Sequence, residues 1–101
     1  MTRRTIFTNQ IVDVLEDIKD FDQDNKIQMN VDADGIDLSS YLDKLNKAEV
    51  KIENDQLIIA HYGHLDLDQM QYCFYYQEED MVKLELGFKN YLEITFKGYQ
   101  L

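Results

Sequence analysis

The chain has 101 residues, 45% of them hydrophobic, with seven Tyr and five Phe, which suffices for one domain with a true core and excludes a disordered acidic tail. Twenty acids against ten bases give a net charge of −10, which excludes direct binding to nucleic acid or an anionic membrane, since phosphate contacts need Lys and Arg. Cys73 is the single cysteine, so no internal disulfide can form, and no apolar run is long enough to span a bilayer; the expected setting is the cytoplasm.

The first element is an amphipathic helix. At about 100° per residue, Ile11, Val14, Leu15, Ile18 and Phe21 share one side, and Asp13, Glu16, Asp17 and Asp20 share the other. Asp22 would return to the apolar side, so the helix should end near Phe21. Thr8 is the expected N-cap, with Phe7 stapled onto Val12. From Asp13 to Asp24 six acids accompany one lysine. Like charges at (i, i+3) and (i, i+4) repel, so this face is locally unfavourable and a candidate for function.

From Lys26 the period falls to two: Ile27, Met29 and Val31 alternate with Gln28, Asn30 and Asp32, as in a half-buried strand. A turn at Asp32-Ala-Asp-Gly35 follows, and then a short second helix capped by Ser39 or Ser40 and running to about Asn46. Val50–Ile52 and Leu57–Tyr62 read as a hairpin about Asn54-Asp55, and Gly63 to Asp68 as a loop. Met70–Tyr76 is the most β-prone run. Glu78-Glu79-Asp80 turns it into the strand of Val82, Leu84, Leu86 and Phe88, and Lys89-Asn90 turns that into Leu92, Ile94 and Phe96. These three form a C-terminal meander. Tyr72, Phe74 and Tyr76 share one face of their strand, and Cys73, Tyr75 and Gln77 the other. The first set is expected in the core, leaving Tyr75, with Tyr62 or Tyr91, as an outer interface anchor.

The whole chain, 1–101, thus reads as a single α+β domain: an N-terminal amphipathic helix on a mostly antiparallel sheet of about five to six strands, with the short second helix and the meander. There is no Pro, repeat, low-complexity segment or linker.

Reactive constellations are poorly supported. Asn30, Asp32 and Asp34 before Gly35 imitate the start of a calcium loop, but Tyr41 stands where a bidentate Glu is needed. His61 and His64 lack the further ligands a zinc site requires. Cys73 sits in an aromatic run that would leave its thiol inert, and the acids cluster with one another instead of in apolar pockets. No Gly-rich phosphate loop exists. Neither catalysis nor a cofactor is expected.

The charge itself is patterned. Residues 13–37 carry nine acids against two lysines, and residues 66–80 five acids and no base. Carboxylates along one helix face recur about every 5–6 Å, near the spacing of phosphates on a nucleic-acid strand. Such a face could occupy a basic channel that normally holds nucleic acid. Asp13, Glu16, Asp17, Asp20, Asp22 and Asp24 would carry the charge, supported by Glu78, Glu79 and Asp80, with Tyr75 as anchor. The expected partner is a basic protein.

A short chain with the acidic helix Asp13-Val-Leu-Glu-Asp-Ile-Lys-Asp20 and the Tyr-rich acidic strand Tyr72–Asp80 resembles the small anti-CRISPR proteins of phages and mobile elements. The resemblance implies inhibition of a type II effector nuclease at the site that reads the PAM duplex. An immunity protein or antitoxin that caps a basic toxin is the alternative.

Overall fold

The computed structural model describes residues 2–33, 36–42, 50–59 and 63–100. The expected α+β class holds. Strand β1 (Thr2–Thr5) is followed by a 3-10 turn at Thr8–Gln10 and helix α1 (Ile11–Phe21). Then come β2 (Ile27–Ala33), β3 (Ile36–Leu42), β4 (Val50–Glu53), β5 (Gln56–Ile59) and β6 (Gly63–Asp66). The meander β7 (Met70–Gln77), β8 (Met81–Phe88) and β9 (Leu92–Tyr99) closes the chain. A six-stranded antiparallel sheet runs β1-β7-β8-β9-β2-β3, and β4-β5-β6 form a separate three-stranded sheet.

Alternation sorts the large sheet into two faces. Cys73, Tyr75, Val82, Leu84, Leu86, Phe88, Ile94, Phe96, Ile27 and Met29 point to one side and are buried. Ile11, Val14, Leu15 and Ile18 of α1 pack there, at most 5% exposed, each worth about 1.5–3 kcal/mol relative to exposure. Leu57 and Ile59 of the small sheet complete the same core. Among the described residues no helix or strand packs over the opposite face.

The helix seats on β9 through two local devices. At Gly98 an added Cβ would lie 2.7 Å from the Ile18 carbonyl oxygen, so only a bare backbone admits the helix this close. Asp22, at the helix C-cap, then acts as a clamp. Its Oδ2 accepts from the backbone N–H of Asp24 at 3.0 Å and of Lys26 at 3.1 Å. Its Oδ1 accepts from the N–H of Tyr99 at 2.9 Å. Gln100 Nε2 donates to the Phe21 carbonyl at 3.0 Å and tightens the same seam.

Several expectations are corrected. The short helix from Ser39 or Ser40 to about Asn46 is not present where it can be seen: Ile36–Leu42 is strand β3, pairing along its whole length with β2. Residues 43–49 lie outside the described residues, as do Asp34 and Gly35 of the expected turn and His61 and Tyr62. Sheet pairing overrides the local helical pattern, as tertiary context often does. Gly63–Asp66 is not a loop but β6, paired with β5. Thr8 makes no cap bond: Gln10 Oε1 closes the turn from the Phe7 N–H at 2.9 Å, and Phe7 is 76% exposed, so no staple forms. The Asn54-Asp55 hairpin stands as expected, both residues in the left-handed region with φ of 52° and 59°, as a two-residue type I′ turn requires.

Gly98→Ala should cost about 1–3 kcal/mol by driving a methyl into the helix backbone. Asp22→Ala should cost a comparable amount by orphaning three N–H groups. Urea unfolding midpoints check both, and a midpoint unchanged for either variant would remove the corresponding contact from the account.

Candidate partner-binding surface

The outer side of α1 carries the acids expected there. Asp13, Asp17 and Asp20 are exposed and Glu16 is half-buried, because the core stripe Ile11, Val14, Leu15 and Ile18 fixes the rotation of the helix. Asp24 is exposed in the turn that follows. Asp22 is half-buried, and its carboxylate is spent on backbone N–H groups, so it belongs to the scaffold more than to the open acidic surface.

The second acidic block is divided by the fold. Asp66 and Asp68 lie at the end of the large sheet where Met70 meets Phe88. Glu78, Glu79 and Asp80 lie at the opposite end, where β7 turns into β8. That end also receives the helix C-terminus. Gln100 N–H donates to the Asp80 carbonyl and Gln23 N–H to the Tyr99 carbonyl, both at 2.9 Å. Two consecutive residues of the β9 terminus therefore bridge the acidic turn and the acidic helix end. Glu79 and Asp80 are exposed and Glu78 half-buried.

Tyr75 is corrected outright: it is 9% exposed and part of the core. Both faces of β7 are apolar, so periodicity within the strand cannot choose between them; the neighbouring strand does. Pairing Tyr75 with Leu84 and Cys73 with Leu86 puts both under the helix, and a one-residue slip would have reversed every side chain. Burial first, and the Asp17 charge second, push the Tyr75 hydroxyl above its ordinary range, against the pull of Arg4. The Arg4 guanidinium lies 5.2 Å from the Tyr75 ring centroid. Tyr75 thus underlies the acidic face instead of projecting from it.

The aromatic residues on the open side are Tyr72, Phe74 and Tyr76, all half-buried. Tyr72 and Phe74 have ring centroids 5.2 Å apart. Arg3 stands 4.6 Å over Phe74, and Lys83 4.3 Å over Tyr76. Tyr72 lies flat across Gly87, where an added Cβ would come within 1.9 Å of its ring, and its hydroxyl donates to Glu93 on the strand beyond. Desolvation, then the hydrogen bond to Glu93 and its charge, raises the Tyr72 hydroxyl far above its usual range. Sequence reasoning missed this surface, although the polar alternation of Lys83, Glu85 and Gly87 in β8 signals which side of β7 faces out.

Comparison with protein-family models, curated proteins and solved structures returns no match, so the surfaces must be read from their own chemistry. Among the described residues no helix is long and apolar enough to cross a membrane.

Cys73 is 2% exposed, and burial pushes its thiol from 9.0 to about 12. A folded-state pKa above the unfolded one means stability is fully held below pH 9.0 and lost as pH rises toward 12. The unfolding midpoint should therefore drop steadily above pH 9.0, and a Cys73→Ala variant should show a shallower drop. Thiol-reagent labelling of the native protein at pH 8 should be at least about 100-fold slower than in denaturant, as expected of a buried, protonated thiol.

Proposed function

We propose that this chain is a non-enzymatic binding protein whose acidic helix face and acidic turn together occupy a basic surface on a partner protein. The observation that supports the reading is the join at Tyr99 and Gln100, which sets Glu78–Asp80 beside the C-terminal end of α1. The acids then form one extended anionic band instead of two unrelated clusters. Asp13, Glu16, Asp17, Asp20 and Asp24 supply the helical part, and Glu79 and Asp80 the exposed part of the turn. Asp22 holds the band in place.

A band of carboxylates mounted on a rigid helix offers a basic groove the same charge that a phosphate backbone offers, without the flexibility that would cost binding entropy. The finer proposal is therefore a nucleic-acid mimic that blocks the nucleic-acid channel of a nuclease such as a type II CRISPR effector. Neutralisation of a basic toxin by an immunity protein or antitoxin would use the same band.

The test has two arms. DNA cleavage by a guide-loaded type II effector nuclease is measured with increasing protein, and the lysate of the host cell is passed over immobilised protein at low and high salt. The finer reading expects stoichiometric inhibition that weakens at least about tenfold between 50 and 500 mM salt, as screened charge contacts do. Reversal of Asp13, Glu16, Asp17 and Asp20 to Lys should reduce affinity about 100-fold or more while leaving the fold intact. Capture of a single basic toxin chain would select the alternative. Binding indifferent to both salt and charge reversal would defeat the acidic-band reading altogether.

A further inference from the structure

We propose that the open face of the six-stranded sheet is a self-complementary dimer interface that takes a second copy of this chain. On that face the paired residues line up in three rungs across the strands. The first holds Gln28, Lys97, Lys83, Tyr76 and Arg3. The second holds Asn30, Thr95, Glu85, Phe74 and Thr5. The third holds Asp32, Glu93, Gly87 and Tyr72. One rung carries three cations, the middle one a single acid, and the last two acids, to which β3 adds Asp37 across from Asp32. In a chain of net charge −10 these rungs sum to only −1 and are bipolar in layout.

The layout is unfavourable in the single chain. Lys97 stands directly across from Lys83, and Asp32 directly across from Glu93; like charges in such positions destabilise a sheet. Lys83 finds relief in Glu85 at 3.5 Å and over the Tyr76 ring. Asp32 is exposed, and its cross-strand neighbour Glu93 already receives the Tyr72 hydroxyl.

A two-fold axis lying along the middle rung removes the conflict. It carries each strand over its own symmetry mate in the antiparallel sense, so the basic rung of one copy covers the acidic rung of the other. Lys97 then faces Glu93 of the second copy. Lys83 comes over Gly87, where Asp32, Tyr72 and Glu93 border an open groove of about 730 Å³. Tyr76 meets Tyr72, and Phe74 meets Phe74, giving an aromatic centre within a charged surround. Glu85 meets its mate near the axis, each already paired to its own Lys83.

Isologous pairing needs one patch complementary to itself, which a bipolar patch provides. Five strands about 4.8 Å apart and three rungs about 6.8 Å apart give on the order of 500 Å² per copy, below the common size for tight complexes, so a micromolar dimer is expected. The helix-side acids lie in the other layer and are largely screened at about 0.15 M salt. The acidic band of each copy remains free, so the dimer neither requires nor excludes the proposed function.

The experiment is sedimentation equilibrium from about 5 to 500 µM, the range that brackets a micromolar dimer, on four proteins and one mixture. The wild-type chain should pass from monomer to dimer across this range. Lys83→Glu with Lys97→Glu, and separately Asp32→Lys with Glu93→Lys, should each weaken self-association at least about tenfold, since like charges then face each other. Mixed in equal amounts, the two variants should form a heterodimer tighter than either homodimer. Because Glu93→Lys also loses the Tyr72 bond, Asp32→Lys alone serves as a milder acidic-rung variant, with circular dichroism reporting folding. A wild-type chain that stays monomeric at 500 µM would overturn the proposal, as would a mixture that associates no better than its components.

Discussion

The seat of α1 on β9 is the contact from which the remaining geometry follows. At Gly98 the strand presents bare backbone to the Ile18 carbonyl, and at Asp22 a carboxylate ties the helix end to the Tyr99 N–H. Each device is small. Together they fix the helix in rotation and along its axis, because Gly98 admits one close approach and Asp22 bonds at one place. With Ile11, Val14, Leu15 and Ile18 buried beneath, Asp13, Asp17 and Asp20 on the opposite side face solvent. The repulsion among them is tolerated because the apolar contribution beneath is several times larger than a few tenths of a kcal/mol per like pair.

The same seat determines what the helix end meets. β9 finishes beside the β7–β8 turn, so the residues that receive Phe21 and Asp22 also receive Asp80. An acidic turn far away in sequence is thereby brought beside the end of the acidic helix. The two faces of the large sheet then divide the work. One holds the core, the helix and the small sheet. The other carries half-buried aromatics and charges sorted into rungs, with Tyr72 filling the space that Gly87 leaves and reaching Glu93 on the next strand but one.

Legibility followed period and length. The helix had a long run with one unambiguous apolar stripe, and the β8 and β9 strands alternate cleanly, so their elements and faces could be read directly. The Asn54-Asp55 turn was legible because few residues other than Asn, Asp and Gly enter the left-handed region at low cost. Ile36–Leu42 was misread because its apolar residues, Leu38, Tyr41 and Leu42, fit a helical spacing as well as any other, and pairing with β2 decided the matter. Tyr75 was misplaced because every position from Tyr72 to Tyr76, on both faces of its strand, is apolar or aromatic. Asp22 was grouped with its neighbours because a carboxylate that accepts backbone N–H groups looks, in sequence, like any other acid.

Composition and local pattern by themselves determined the α+β class, the net charge, the two-sided helix and the C-terminal meander, since each depends on residues close together along the chain. Tertiary structure alone decided the outward side of the aromatic strand, the conversion of Asp22 from surface charge to clamp, and the meeting of the acidic turn with the acidic helix. It alone also sorted the sheet charges into a basic and an acidic rung. Those features depend on register between strands and on a seat formed by residues 77 positions apart, which only packing can bring together.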